Sequence, residues 1–454
     1  MSDPSGQSDP IFTPLAGPKF TAPELPTYES LMDCIRCGRC LPVCPTYQET
    51  TLETFSPRGR LALMRAVEDG KLDLDDPGVE EHLYHCLDCR ACNIVCPVGI
   101  PIGELIVEGR AAVEAEHPRS WIVRFMLNHA LISPRRIEFF AWPVRLVQCL
   151  QLDKLGVALL GWIPKIGPAV RDLMQMAPKL SKPLWKGLAK PPRFPQTSQV
   201  SSAQYRVGFF LGCVMNVAFA DASRASITAL KHFGCEVITP QDQMCCGAPQ
   251  DDQGLKDQAR RMAKRNIEAF EKLGELDAIV ADCAACSGFL KEYRHVLRDD
   301  PVWAARADRF AGRVRDITEW LDQIMPDALP LPDREGAGVR VTYHEPCHLA
   351  NVQGVRRQPR ALLMRLKNKG VDVRDLPDAT RCCGSAGIYN LTHPAMSKDL
   401  LDRKMADVAS TGAQVVVSAN PGCLLQLDWG AKRARLDVQV KHVTQVLAEA
   451  LEKM

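Results

Sequence analysis

Cysteine is the residue of this 454-residue chain best suited to chemistry: there are nineteen, and most fall into two kinds of spacing. The first kind is Cys34-Ile-Arg-Cys37-Gly-Arg-Cys40-Leu-Pro-Val-Cys44-Pro45, repeated as Cys86-Leu-Asp-Cys89-Arg-Ala-Cys92-Asn-Ile-Val-Cys96-Pro97. Three thiolates this close in sequence reach one compact centre only if the backbone loops around it; the fourth, followed by proline, points away. A lone CxxC also suits a redox dithiol or half of a zinc site. Two complete runs, each closed by Cys-Pro, favour iron. The second kind is Cys213, Cys245-Cys246-Gly247 and Cys283-Ala-Ala-Cys286, followed by Cys347, Cys382-Cys383-Gly384 and Asn420-Pro-Gly-Cys423. Adjacent cysteines can hardly pair in an ordinary disulfide, but neighbouring thiolates can hold two irons of one cluster. The glycine lets the backbone pass close by.

The first two runs resemble those by which bacterial-type ferredoxins hold [4Fe–4S] clusters. In that family the fourth cysteine of each run ligates the other cluster. The resemblance therefore implies Cys34, Cys37, Cys40 and Cys96 on one cube, and Cys86, Cys89, Cys92 and Cys44 on the second. Between the runs, Phe55-Ser-Pro-Arg-Gly-Arg-Leu-Ala-Leu-Met64 opens with Ser-Pro and continues with apolar residues at helical spacing, a helix that lets the two loops meet. Residues 27–115 are expected to form this two-cluster domain, and Ile102 to Val113 a helix leading out of it.

The elements that must position the remaining cysteines follow in order. Residues 1–26, rich in Pro, Ser, Asp and Thr, read as a flexible tail without a signal peptide. Residues 116–203 form a helical segment; from Arg119 to Arg193 it carries thirteen Lys or Arg against three acidic residues, with Trp121, Trp142, Trp162 and Trp185. Basic residues interleaved with Trp and Leu on short amphipathic helices, broken by prolines, suit an interfacial membrane segment. They equally suit a linker that packs its apolar stripe on its own domains or on a partner. Lys190 to Ala203 is a proline-then-serine linker.

Beyond it the pattern turns α/β. Strands are expected at Val207–Leu211, Cys235–Ile238 and Ala278–Ala281, with a helix from Asp221 to Phe233. The pattern restarts with strands at Val339–Tyr343, Val371–Val373 and Val415–Ser418, and a helix from Arg357 to Asn368. Two modules, 204–330 and 331–454, thus repeat one α/β plan, and the fold class is a multidomain α+β and α/β chain. The formal net charge of +2 gives no reason to expect nucleic acid. No uncharged apolar run reaches eighteen residues. Nineteen cysteines without a leader fit a reducing cytosol better than a disulfide scaffold.

The second set of cysteines resembles the cysteine-rich CCG domain of heterodisulfide reductase. That resemblance implies a noncubane iron–sulfur cluster on Cys213, Cys245, Cys246, Cys283 and Cys286. The second module keeps Cys347, Cys382, Cys383 and Cys423 but has Asn420 in the remaining place, which leaves iron–sulfur, zinc or no metal open there. His344 and His348 flank Cys347, and His348 is the expected substitute ligand. Cys149 and Cys235 belong to no motif and read as small buried hydrophobes; His442 reads as core.

Taken together, the chain resembles the iron–sulfur subunit of bacterial glycolate oxidase (glycolate dehydrogenase). Thr342-Tyr-His-Glu-Pro-Cys-His348, Gln353-Gly-Val-Arg-Arg-Gln-Pro-Arg360 and Cys382-Cys-Gly-Ser-Ala-Gly-Ile-Tyr-Asn-Leu391 carry that likeness. The resemblance implies a division of labour. A separate FAD-binding subunit oxidises a 2-hydroxy acid, and this chain passes the electrons singly to a quinone or other acceptor. It would then be a cytoplasmic subunit of an oxidoreductase complex with no catalytic residue of its own, peripheral membrane contact being open. Alternatives are the corresponding subunit of a lactate or glycerol 3-phosphate dehydrogenase, or a heterodisulfide-reductase-like catalytic subunit.

Overall fold

The computed structural model describes residues 28–152, 176, 180–181, 203–329, 338–367 and 369–452. The expected tail, Trp162, Trp185 and linker residues 190–202 lie outside the described residues. The chain divides into two units, Met1–Pro118 and Arg119–Met454.

The first unit is helical. Ser56 caps the helix Pro57–Glu68, its hydroxyl accepting from the Gly59 N–H at 3.0 Å, with Pro57 in the first turn where no N–H is needed. Asp76 caps Pro77–Tyr84 in the same way. These helices and Ile102–Glu116 bury Leu61, Met64, Val67, Leu83, Leu105, Ile106 and Val113 in one core, into which Cys40 and Cys92 also project.

The second unit holds two four-stranded sheets. Strands β1 (Tyr205–Phe210), β2 (Cys235–Ile238), β3 (Ala278–Ala281) and β4 (Val314–Asp316) run parallel in the order β2-β1-β3-β4. Strands β5 (Val339–Tyr343), β6 (Val371–Arg374), β7 (Val415–Ser418) and β8 (Gln439–His442) repeat it as β6-β5-β7-β8. The central strands read as short apolar runs because helices cover both faces of a parallel sheet. The edge strands β4 and β8 are the two that the sequence pattern does not reveal. Val-Arg-Asp and Gln-Val-Lys-His are short and carry no apolar run.

One core joins the modules. The helix Ala220–His232 packs on Val443–Leu451, and Ile317–Ile324 packs on Arg357–Arg365. Leu230, Ile317, Leu321, Leu362, Leu363 and Leu447 are buried there together. The first long helix of each module thus meets the last helix of the other, as a pseudo-twofold requires.

Ahead of β1, the helix Pro134–Cys149 continues through Pro143 instead of breaking. Proline removes the hydrogen bond to Phe139 O, but Phe139 is 74 % exposed, so water can satisfy that carbonyl. Trp121, at 76 %, and Trp142, at 61 %, are exposed as well.

Candidate iron–sulfur sites

The two ferredoxin-type loops share one backbone device. Arg36 and Gly38 in the first, and Asp88 and Arg90 in the second, have φ of 56°, 82°, 47° and 57°. These are the same two positions of each run, one residue before and one after the second cysteine. Left-handed residues at both turn the chain around a common point, and the second loop takes them without glycine at some strain. Cys40, Cys44 and Cys92 are buried, Cys34, Cys86, Cys89 and Cys96 are half-buried, and Cys37 sits at the exposed loop tip. Burial, and then the proximity of Cys86 and Cys44, push the Cys92 thiol well above its usual range. The closing cysteine of the first run therefore lies beside the second run.

Sequence reasoning missed Arg60, which it counted only as part of a helix start. This guanidinium is 1 % exposed. It donates to His82 O at 2.7 Å and Thr46 Oγ1 at 3.1 Å, and its Nη1 stands 4.0 Å from Cys44 Sγ. Among the described residues no carboxylate pairs with it. A buried cation without a carboxylate needs another anion, and a thiolate-ligated cluster would supply one. Arg110, also buried, donates to Leu83 O at 3.0 Å and to Cys86 O. Burial holds the Cys86 thiol above its usual range, and Arg60 and Arg110 offset only part of that rise.

In the second unit every cysteine of the motifs lies past a strand's carboxyl end, where the strand order reverses between β1 and β3 and between β5 and β7. That crevice is where ligands of open parallel sheets bind. In the first module, Cys213 Sγ lies 3.5 Å from Cys245 Sγ, and Cys283 Sγ accepts from the Cys286 N–H at 3.3 Å. Hydrogen bonds from Cys245 and Cys286 hold the Cys246 thiol below its usual range. All five are buried. Gly247, with φ of 99°, and Gly384, with φ of 84°, take the left-handed turn after each cysteine pair. A Cβ on Gly384 would meet Ser397 O at 2.7 Å.

The second module gathers Cys382, Cys383 and Cys423, all buried, and the half-buried Cys347. Hydrogen bonding to Cys382 and burial push the Cys347 thiol up. His348, the expected substitute ligand, has its Nδ1 3.9 Å from Cys347 Sγ. His344 goes deeper: its nearest ring nitrogen and the sulfurs of Cys383 and Cys423 all lie within 4.8 Å of one another. Burial, with Lys404 nearby, holds the His344 imidazole neutral. Asn420 accepts from the Ala285 N–H at 3.2 Å and so spans the two modules. Cys235 is buried as expected, whereas Cys149 is exposed near the end of its helix. His442 is buried, at the end of β8, where its ring caps the final helix.

Residues 30–100 match the 4Fe-4S dicluster domain family, and residues 207–291 and 341–428 each match the cysteine-rich domain family. The chain is thus an iron–sulfur protein made of a dicluster domain and two cysteine-rich modules. A probable glycolate oxidase iron–sulfur subunit of Bacillus subtilis (strain 168) is 38 % identical over 92 % of this chain and 94 % of its own length. The glycolate oxidase iron–sulfur subunit of Escherichia coli (strain K12) is 29 % identical over 93 % and 95 %. A lactate utilization protein A of Oceanobacillus iheyensis is 34 % identical over 53 % of this chain and 96 % of its own length. The chain belongs to the family of glycolate oxidase iron–sulfur subunits. No helix among the described residues is long and apolar enough to cross a membrane.

Proposed function

We propose that this chain is the electron-transfer subunit of a flavin-dependent 2-hydroxy-acid dehydrogenase, with glycolate as the substrate class. The near full-length relation to glycolate oxidase iron–sulfur subunits carries the reading. On a partner FAD subunit the 2-hydroxy acid loses two electrons and two protons to become a 2-oxo acid. Iron–sulfur clusters supply one-electron acceptance at potentials set by charge, burial and hydrogen bonding.

This chain's residues hold and tune those groups. Cys34, Cys37, Cys40 and Cys96 would hold one [4Fe–4S] cluster, and Cys86, Cys89, Cys92 and Cys44 the other. Arg60 and Arg110 would offset the charge of the second. Cys213, Cys245, Cys246, Cys283 and Cys286 would hold a noncubane cluster. Cys347, Cys382, Cys383 and Cys423 give the second module its thiolates. The exposed Trp121, Phe139 and Trp142, with Arg124, Arg135 and Arg136 exposed beside them, support contact with an anionic membrane surface where a quinone acceptor is found.

The lactate-utilization relatives favour lactate as a second reading. The test is anaerobic purification with bound partners, then dye and quinone reduction with glycolate, lactate, glycerol 3-phosphate and a thiol pair. Reduction driven by glycolate with a flavoprotein present is the expected result. Turnover by the thiol pair alone would make the first cysteine-rich module the active site instead.

A further inference from the structure

We propose that His344 is a metal ligand, and that with Cys347, Cys382, Cys383 and Cys423 it forms a five-donor iron–sulfur centre of one imidazole and four thiolates. This rests on the reading that the second module binds metal. It does not rest on which substrate the complex oxidises.

Three observations carry it. The first is convergence: the ring of His344 and the sulfurs of Cys383 and Cys423 have ligand atoms within 4.8 Å of one another, all three residues buried. The second is that neither ring nitrogen of this fully buried histidine has a hydrogen-bond partner. An imidazole left so is costly to bury, and a metal ion would satisfy it. The third is position. His344 extends β5 by one residue, its N–H donating to Val417 O at 2.9 Å, and stands three residues before Cys347. Phe210 stands three before Cys213 in the first module, at the corresponding end of β1. Where one module has phenylalanine and a fifth cysteine, the other has histidine and Asn420. One donor is exchanged for another across the same crevice.

The donor count selects the occupant. A single tetrahedral zinc takes four ligands. Among the described residues only three donors converge within 4.8 Å, while Cys382 hydrogen-bonds both Cys383 of that group and Cys347 beyond it. Five donors spread in this way suit a centre of more than one metal, and a thiolate-rich set suits iron–sulfur. The buried Lys404, whose Nζ donates to Asp378 O at 2.6 Å, places a cation beside Cys383 that an anionic centre would offset. Histidine ligands raise the potential of iron–sulfur centres relative to all-cysteine ones, so this centre would be the better acceptor of the two modules.

The test uses the full chain, purified anaerobically with 15N-labelled histidine and reduced chemically without any hydroxy acid. Pulsed EPR across its redox states would be recorded beside iron, zinc and sulfide per chain, for the wild type and His344→Phe. Phenylalanine is the residue the first module carries there, which favours folding of the variant. A strongly coupled histidine nitrogen in the wild type, lost in the variant together with one centre's share of iron, is expected. A wild type with no such coupling in any state overturns the assignment, whatever the variant's iron content and even if the variant fails to fold. Stoichiometric zinc in place of that iron overturns it too.

Discussion

Asn420 Oδ1 stands 3.7 Å from the Sγ of Cys283, and its Nδ2 stands 3.5 Å from the Sγ of Cys423. Asn420 lies two residues past β7, as Cys283 lies two past β3, so the residue in the missing ligand's place touches a cysteine of each module. Its oxygen also accepts the Ala285 N–H at 3.2 Å. Asn420→Asp puts a negative charge between the two centres and should lower the midpoint potential of the first module's cluster. Asn420→Ala should instead cost about 1–2 kcal/mol of stability by stranding that N–H. An EPR-monitored redox titration and denaturant unfolding separate the two effects; unchanged potential in Asn420→Asp would remove Asn420 from the cluster's surroundings.

Arg60 gives a second prediction about potential. A unit charge roughly 6 Å from a cluster, at an effective dielectric near 20, interacts by about 3 kcal/mol, which for a one-electron couple is on the order of 100 mV. Arg60→Gln should lower the potential of the cluster assigned to Cys44, Cys86, Cys89 and Cys92 by an amount of that order. Arg60→Lys, which keeps the charge but not the fork to His82 O and Thr46 Oγ1, should lower it less. Spectroelectrochemistry resolves the two clusters, and an equal shift in both would contradict the closeness of Arg60 to Cys44.

Much of this was legible because metal ligation writes itself into local spacing, and buried parallel strands into apolar runs. The strands Cys235–Ile238, Ala278–Ala281, Val339–Tyr343 and Val415–Ser418 appear where the sequence places them. The residues that escaped act across long sequence gaps. Arg60 reaches Cys44 from sixteen residues away, and Lys404 approaches the loop of Cys383 from the helix Pro394–Ser410. His344 and His348 are indistinguishable by spacing alone. The fold separates them: His344 extends β5 and lies with Cys383 and Cys423, whereas His348 opens the short helix His348–Val352 beside Cys347.

Stability against pH follows from His442 and Asp316, counterparts that end β8 and β4 and cap the helices after them. Burial pushes His442 down to about 4 and Asp316 up to about 6. For His442 the unfolded chain binds more protons between about pH 4 and 6.5, so its contribution is complete above 6.5 and is lost as pH falls toward 4. For Asp316 the folded chain binds more between about 4 and 6, so stability falls as pH rises through that window. The two slopes oppose each other. His442→Asn keeps a capping side chain and removes one slope. Relative to wild type it should gain on the order of 3 kcal/mol at pH 4.5 over its value at pH 7.5. Urea unfolding at both pH values reads this, and parallel behaviour of variant and wild type would contradict it.

The helix Pro134–Cys149 and the short helix Trp121–Phe125 upstream of it make the last prediction. Phe139, Phe140, Trp142, Val144 and Leu146 are all exposed on the first, and Trp121, Ile122 and Phe125 on the second. Single exposed apolar residues are ordinary, but this many on two adjoining segments marks a surface that meets something apolar. Arg124, Arg135 and Arg136 are exposed on the same segments, which favours an anionic interface over a neutral one. Aromatic rings would enter the headgroup boundary while the guanidinium groups face phosphates. Co-sedimentation of the full chain with vesicles should therefore rise with the fraction of anionic lipid and fall with salt, because the charge part is screened over about 10 Å at 0.1 M. Trp142→Ser should weaken binding at every salt concentration, whereas Arg135→Gln should matter chiefly at low salt. Retention on purely zwitterionic vesicles at the same level would show that charge plays no part. Failure to bind any vesicle while the purified partner subunit covers Trp121 and Trp142 from labelling would assign the face to that subunit.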